Sequence, residues 1–342
     1  MADQTHMRLE IEEIPDATRR LLTDSAEQMK AAGLALKAKD PAMIATIARG
    51  SSDHATAFLK YAIELTAGIP VASIGPSIVS IYGRELKLRR CAVLAVSQSG
   101  KSPDIVAMEQ SARRSGALCI ALTNTPGSPL ATSADIAVGL RAGVETSVAA
   151  TKSFVSSVVA GLAIIAHWTD DAALLDALTA LPAAFERAMV RDWTPLMAAL
   201  KGRDSLYVLG RGPALAVAAE AALKFKETCG IHAEAYSAAE VLHGPARIVE
   251  AGFPVLALAA RDAGEAGVAE IADRLSSQGA TVLATTDRVK RATALPYVAT
   301  GHEITDALTL IVSFYAFVEM LSRHRGFDPD HPPHLRKVTE TI

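Results

Sequence analysis

The stretch Cys91-Ala92-Val93-Leu94-Ala95-Val96, followed by Ser97-Gln98-Ser99-Gly100-Lys101-Ser102 and Pro103, decides how the fold is read. Six consecutive apolar residues without polar alternation predict a strand buried on both faces, as in parallel sheets. The serine-rich segment ends that strand. Ser102 suits a helix N-cap and Pro103 the first helical position, so a helix follows over Pro103–Ser115 until Gly116 stops it.

The same step recurs on either side. Ala42–Ala48 reads as a strand ending in a Gly-Ser turn, Asp53–Ala67 as a helix stopped by Gly68, and Val71–Ile74 as a short strand. Ala117–Leu122 is another apolar strand, followed by the turn Asn124-Thr125-Pro126-Gly127. Residues 8–38 have helical periodicity and predict one or two helices. Strands alternating with helices predict an α/β fold with a parallel, doubly wound, flavodoxin-like sheet. The second half repeats the first at an offset of 162 residues: Arg49-Gly50 falls on Arg211-Gly212, Thr66 on Thr228, Gly68-Ile69 on Gly230-Ile231, and Val93–Val96 on Val255–Leu258. Gly116-Ala117 meets Gly279-Ala280 after one inserted residue. Matches in constant order predict two tandem copies of one α/β unit. The expected organisation is a helical extension over 1–40, a first domain over 41–165, a helical linker over 166–200, a second domain over 201–326 and a tail over 327–342.

Composition agrees with two domains in 342 residues. Half the residues are hydrophobic but only 5% are aromatic, so the core must be aliphatic. The net charge of −3 and the short clusters Arg113-Arg114 and Lys87–Arg90 give no nucleic-acid footprint. Cys91, Cys119 and Cys229 are scattered among apolar residues and read as buried thiols in a reducing cytoplasm. Met1–Glu13 is not cationic enough for a signal peptide. Phe154–Trp168 reads as a buried helix too short to span a bilayer, so no membrane partner is expected.

In a parallel sheet, ligands bind beyond the carboxyl ends of the strands. Ser97–Ser102 would lie there, with three hydroxyls, the Gln98 amide, a glycine and a helix N-terminus. The turn Arg49-Gly50-Ser51-Ser52 can add a hydroxyl. Such a loop could simply cap its helix. However, its counterpart Ala259-Ala260-Arg261-Asp262 has lost every serine, which favours an anion-binding role, a phosphate foremost, for the first copy. Neither a Walker A nor a GxGxxG pattern is present, so a nucleotide is not indicated.

Ser97-Gln98-Ser99-Gly100, with Gly50-Ser51-Ser52 upstream and Val148-Ala149-Ala150-Thr151-Lys152 downstream, resembles the sugar isomerase (SIS) domain. Ala221–Glu227, Ile231–Tyr236 and Glu240-Val241-Leu242-His243-Gly244-Pro245 are similar to the isomerase portion of glucosamine-6-phosphate synthase. The resemblance runs from about residue 43 to the C-terminus. The synthase's glutaminase domain has no counterpart: about 40 helical residues precede the first unit, and the first cysteine is Cys91. The expectation is therefore a stand-alone double-SIS protein that makes no ammonia from glutamine by that route. Glu10–Pro15 and Pro333–Thr339 resemble that group.

The resemblance implies a phosphosugar substrate held by Ser52, Ser97, Gln98, Ser99 and Ser102, with Gly50 allowing close approach and with Glu145 and Thr151 touching the ligand. It implies Glu227 as the base that moves a proton between C2 and C1. Lys224, three residues earlier on the same helix face, would position that carboxylate or stabilise the enediolate. An Ala-rich helix with Lys and Glu is otherwise a solvated face, and Lys226 reads as surface. His243 could be a helix-terminal histidine stabilised by the dipole. The resemblance instead makes it the ring-opening acid–base group, contributed to a neighbouring subunit's site, which implies a homodimer with shared active sites.

On composition alone, Phe327–Ile342 is a disordered terminus or a surface strap. The resemblance implies a tail folded over the sugar, with Lys337 forming a Schiff base with the keto sugar. His331 and His334 have no carboxylate or cysteine partner in the sequence that suggests a metal site, and the chemistry calls for neither metal nor cofactor. Ala150 stands where the synthase has serine, and Lys101 and Ser102 where it has Glu and Thr. The implied reaction converts glucosamine 6-phosphate to fructose 6-phosphate and ammonia. Galactosamine 6-phosphate and a fructosamine phosphate are alternative substrates. A non-catalytic phosphosugar sensor would be expected to lack Glu227, His243 or Lys337.

Overall fold

The computed structural model describes residues 4–337. Its strands are β1 (Met43–Ile47), β2 (Val71–Ser73), β3 (Cys91–Val96), β4 (Leu118–Thr123), β5 (Ile136–Gly139), β6 (Ser205–Gly210), β7 (His232–Ser237), β8 (Pro254–Ala257), β9 (Thr281–Ala284) and β10 (Thr293–Ala294). They form two five-stranded sheets, in the orders β2-β1-β3-β4-β5 and β10-β9-β8-β6-β7. Every pairing between them is parallel. Counted within its own unit, each sheet has the doubly wound flavodoxin order, with its switch points between β1 and β3 and between β6 and β8.

The repeat read from sequence is visible in the backbone. Gly50 has φ 55° and ψ −134°, and Gly212 has φ 56° and ψ −137°. Both lie in a region closed to residues with a Cβ, and both open the helix that follows the first strand of their sheet, Ser51–Thr66 and Pro213–Cys229.

The described residues divide into two compact units that interleave along the chain. The β1–β5 unit comprises Asp16–Glu145, Lys152–Thr179 and the residues from Arg336, while the β6–β10 unit comprises the residues up to Pro15, Thr146–Thr151 and Ala180–Leu335. Every β3 side chain is buried. Cys91, Val93 and Ala95 pack with Ile105, Met108 and Ala112 of the Pro103–Arg114 helix, around Ala45 and Ile47 of β1 and Cys119 and Ala121 of β4. In the other unit Val255 and Ala257 of β8 pack with Val268, Ala272 and Leu275 of the Glu265–Ser277 helix. These two clusters are mainly aliphatic, as composition led us to expect, but the β6–β10 unit also buries an aromatic group, Phe225, Phe314 and Phe317, in mutual ring contact.

Several elements differ from the sequence reading. The N-terminal region is three helices, His6–Glu12, Ile14–Asp24 and Ala26–Lys39, where one or two were expected. Pro15 in the first turn of the second helix, next to the Glu13 break, marks a new start that periodicity alone runs through. The first helix is capped by Thr5, whose side chain accepts from Arg8 N. Strand β5 follows the short helix Pro129–Ser133 and was not anticipated. The helix around Phe154–Trp168 runs over Lys152–Thr169, 18 residues, and so is long enough to cross a membrane, as is Glu303–His324. Within the protein, 83% and 94% of their apolar windows are buried, as expected of core helices. All three cysteines are buried free thiols. Burial pushes the Cys229 thiol up to about 11.

Candidate active site

Adjacent strands β1 and β3 place the turn Arg49–Ser52 and the loop Ser97–Ser102 side by side at their carboxyl ends. The loop is held in shape by its own polar groups. Gly100 N donates to Ser97 Oγ (3.2 Å), and Lys101 N donates to Ser99 Oγ (3.3 Å). Both hydroxyls accept in these bonds, which leaves each its own proton to donate. Asn124 N donates to the Gln98 carbonyl (3.0 Å) and Leu130 N to the Gly100 carbonyl (3.1 Å), which fastens the loop to the end of β4. Gly100 has φ 62°, and a Cβ there would lie 2.7 Å from Ser128 Cβ. Ser102 occupies the N-cap position with φ −60° and ψ 115°, but its side chain makes no capping hydrogen bond, contrary to the sequence reading. Asp104 accepts from Ile105 N (2.8 Å) in the first turn instead. Ser52 is half-buried in the first turn of the Ser51–Thr66 helix rather than in a turn before it.

Sequence reasoning missed the cation at this place. Arg49 donates through Nε (2.7 Å) and Nη2 (2.5 Å) to Asp104 Oδ2. The Asp104 side chain is wholly buried, while that of Arg49 is about half exposed, at 47%. The pair joins the end of β1 to the helix after β3, and it puts a guanidinium beside the serine loop. No spacing rule links positions 49 and 104.

A second cluster in the same unit contains two expected site residues. Glu145, buried, accepts from Ser153 N (3.0 Å), Ser153 Oγ (2.6 Å) and Lys337 Nζ (2.8 Å). Burial would raise its carboxyl, but the Lys337 ammonium and the Ser153 donors prevail and hold it below the usual range. The tail is described as far as Lys337, and Val338–Ile342 lie outside the described residues. His331 does have a carboxylate partner, contrary to the sequence reading: Nδ1 is 2.9 Å from Asp328 Oδ2, and both side chains are largely exposed.

The β6–β10 unit holds the other candidates. Glu220, Lys224 and Glu227 lie on one face of the Pro213–Cys229 helix. Lys224 Nζ bonds Glu227 Oε2 and sits 3.4 Å from Glu220 Oε1. Tyr315 Oη donates to Glu220 Oε1 (3.1 Å). Lys224 and Glu220 are fully buried, and Glu227 alone of the three is partly exposed, at 20%. Burial would lower the Lys224 ammonium, but the two carboxylates outweigh it and raise it above the usual range. Glu220 was legible as the residue four before Lys224 and was not singled out. Lys226 is exposed, as expected. His243 ends a 3₁₀ helix, Glu240–His243, and is exposed. Thr151 is buried.

The second switch point is filled from within. Asp306, buried, accepts from Arg261 N (2.8 Å) and Thr300 N (3.0 Å). The Arg261 guanidinium lies 3.7 Å over the Tyr297 ring and donates to the Thr285 carbonyl (2.5 Å).

Fold and site thus define a duplicated, parallel α/β protein with a serine-lined loop at one switch point and a buried carboxylate–lysine array in the other copy. The pattern of the SIS domain matches residues 39–167 and 199–321, and the chain belongs to the SIS domain family. It is 31% identical over 344 residues to the glutamine–fructose-6-phosphate aminotransferase (isomerizing) of Pyrobaculum aerophilum, a match covering 93% of this chain and 57% of that protein. The chain spans a little over half the length of the curated relatives it matches first. A structure from Silicibacter pomeroyi DSS-3, provisionally named a phosphosugar isomerase, shares 56% identity and a TM-score of 0.93 over 96% of this chain and 100% of that one. The C-terminal domain of glucosamine-fructose-6-phosphate aminotransferase from Francisella tularensis has the same fold, with a TM-score of 0.83 at 24% identity over 97% and 99% of the two chains.

Proposed function

We propose that this protein is a phosphosugar isomerase acting as an aminosugar-phosphate deaminase, with glucosamine 6-phosphate as substrate and fructose 6-phosphate and ammonia as products. One observation carries the reading: Glu227, partly exposed, is held by the buried Lys224, which Glu220 keeps charged. A merely solvated Lys–Glu face would not bury the lysine with a second carboxylate.

The roles follow. Ser97, Ser99, Ser102 and Ser52 donate hydroxyls to the phosphate, with Gly50 and the Gln98 segment shaping the loop around it. After ring opening, Glu227 removes the C2 proton and returns it at C1. The C1 carbonyl becomes a hydroxyl-bearing carbon and the C2 amine an imine. Water adds at C2, the C2–N bond breaks, and ammonia leaves. The Lys337 amine can take water's place, forming a C2 Schiff base that water then hydrolyses. Lys224 offsets the charge that develops on the C1 oxygen of the enolamine intermediate. Glu145 and Thr151 line the ligand's surroundings.

His243 is the ring-opening group, and its exposure fits donation to a second copy in a homodimer with shared sites. Mixing Glu227→Gln chains with His243→Asn chains is then expected to restore activity, because one site of each mixed dimer has both groups.

The central test is an assay of ammonia and ketose phosphate against glucosamine 6-phosphate, galactosamine 6-phosphate and fructosamine phosphates. Binding of fructose 6-phosphate without turnover of any panel member would sink the enzyme reading.

A further inference from the structure

Asp330 lies in the tail, seven positions before Lys337, and its side chain is not spent on solvent. It is 8% exposed. Its Oδ2 accepts from His6 N (2.7 Å), and its Oδ1 accepts from Met7 N (2.7 Å) and Ser147 Oγ (3.1 Å). Two of these donors are free N–H groups at the start of the His6–Glu12 helix, where a carboxylate also meets the favourable end of the dipole. From the same helix, Glu10 Oε1 accepts from Ser147 N (3.2 Å) and from Thr146 N. Thr146 directly follows Glu145, the partner of Lys337. One short helix therefore grips the chain just after Glu145 and just before the lysine segment. Thr5, its cap, also donates to the buried Glu319 (2.8 Å), which anchors the helix to Glu303–His324.

We propose that the His6–Glu12 helix is a clasp for the lysine-bearing tail and that Asp330 is the positioning residue that locks it. The proposal rests on the deaminase reading for the role of Lys337, but the clasp is a claim about Asp330 alone. The helix holds the chain at Asp330 and at Thr146–Ser147, so the segments leading to Lys337 and from Glu145 are tethered a few residues from that pair. An amine displaced by even about 1 Å from its carbonyl loses on the order of a hundredfold in rate.

The test uses the full chain with fructose 6-phosphate and borohydride, which reduces any Schiff base to a stable adduct on Lys337 readable by mass spectrometry. Asp330→Ala is expected to lower adduct yield and kcat about tenfold or more. Affinity for inorganic phosphate should stay unchanged, and amide exchange over residues 331–337 should quicken. Asp330→Asn keeps an oxygen for Met7 N and Ser147 Oγ and should recover much of the loss. If Asp330→Ala does not fold, Ser147→Ala is the second probe, since it removes one donor to the same oxygen. Wild-type adduct yield and wild-type tail exchange in these variants would overturn the clasp. Absence of adduct in the unaltered protein would instead count against the Schiff-base role, while the exchange data would still decide the clasp.

Discussion

Arg49 is bound through two of its nitrogens to one oxygen of Asp104, whose side chain is completely buried at the first turn of the helix that follows the serine loop. A guanidinium thus crosses the β1/β3 switch point and compensates the buried carboxylate. Arg49→Ala leaves that carboxylate without its cation. The half-exposed arginine moderates the loss, and the expected cost is about 1–3 kcal/mol of unfolding free energy. A lowered urea midpoint with unchanged slope is the reading to look for, together with weaker phosphate binding.

Glu227→Gln keeps the shape of the Lys224 contact and removes the proposed base. Turnover is expected to fall about 10²–10⁴-fold. Affinity for fructose 6-phosphate, measured by calorimetry, should change little. Equal turnover in this variant would remove Glu227 from the proposed chemistry.

Lys224→Met separates position from charge. Glu220 and Glu227 would then face each other without the ammonium between them, and loss of one partner from a buried pair costs about 3–5 kcal/mol. Both the melting temperature and kcat should drop. The Lys224 ammonium is raised above its usual 10.5, so its contribution is complete below that pH and fades as pH rises through the folded value. In the unaltered protein, stability should therefore decline at strongly alkaline pH.

Glu145 predicts the opposite limb. Its carboxyl lies below the usual 4.5 in the folded chain, so between the two values the unfolded chain binds more protons. The stabilisation is present above about pH 4.5 and is lost as pH falls through the folded value. Urea midpoints followed from pH 7 to 3 should show this loss, and Lys337→Met should flatten it.

Gly100→Ala tests the loop itself. The left-handed backbone costs an alanine about 1–2 kcal/mol, and its Cβ would press on Ser128 and Thr123. Inorganic phosphate should bind more weakly, and Gly127→Ala, which meets nothing within 4 Å of its Cβ, gives the comparison for backbone strain alone.

The sequence carried the parts whose cause is local. Cys91–Val96 is a strand because six apolar residues need two buried faces, and Gly50 and Gly212 recur because the same turn excludes a Cβ. Strand β5 escaped notice because Ile136–Gly139 is only four residues long and sits next to a short helix, so no period is established. Arg49 with Asp104 and Asp330 with Met7 were invisible for another reason. Each joins positions far apart in the chain, and nothing in either neighbourhood announces the partner. The Glu220–Lys224–Glu227 spacing was legible throughout, though only Lys224 and Glu227 were singled out, and burial, which distinguishes it from a solvated face, came only with the fold.

Asp306 gives the duplication an arithmetic consequence. Its carboxylate already occupies the amides of Arg261 and Thr300 beside the second crevice, so an incoming anion would find those donors taken and a negative charge in residence. On the proposed function, two copies of the fold would then hold one phosphate, at the serine loop of the first. A calorimetric titration is expected to saturate at one phosphate per chain, whatever number of chains assemble.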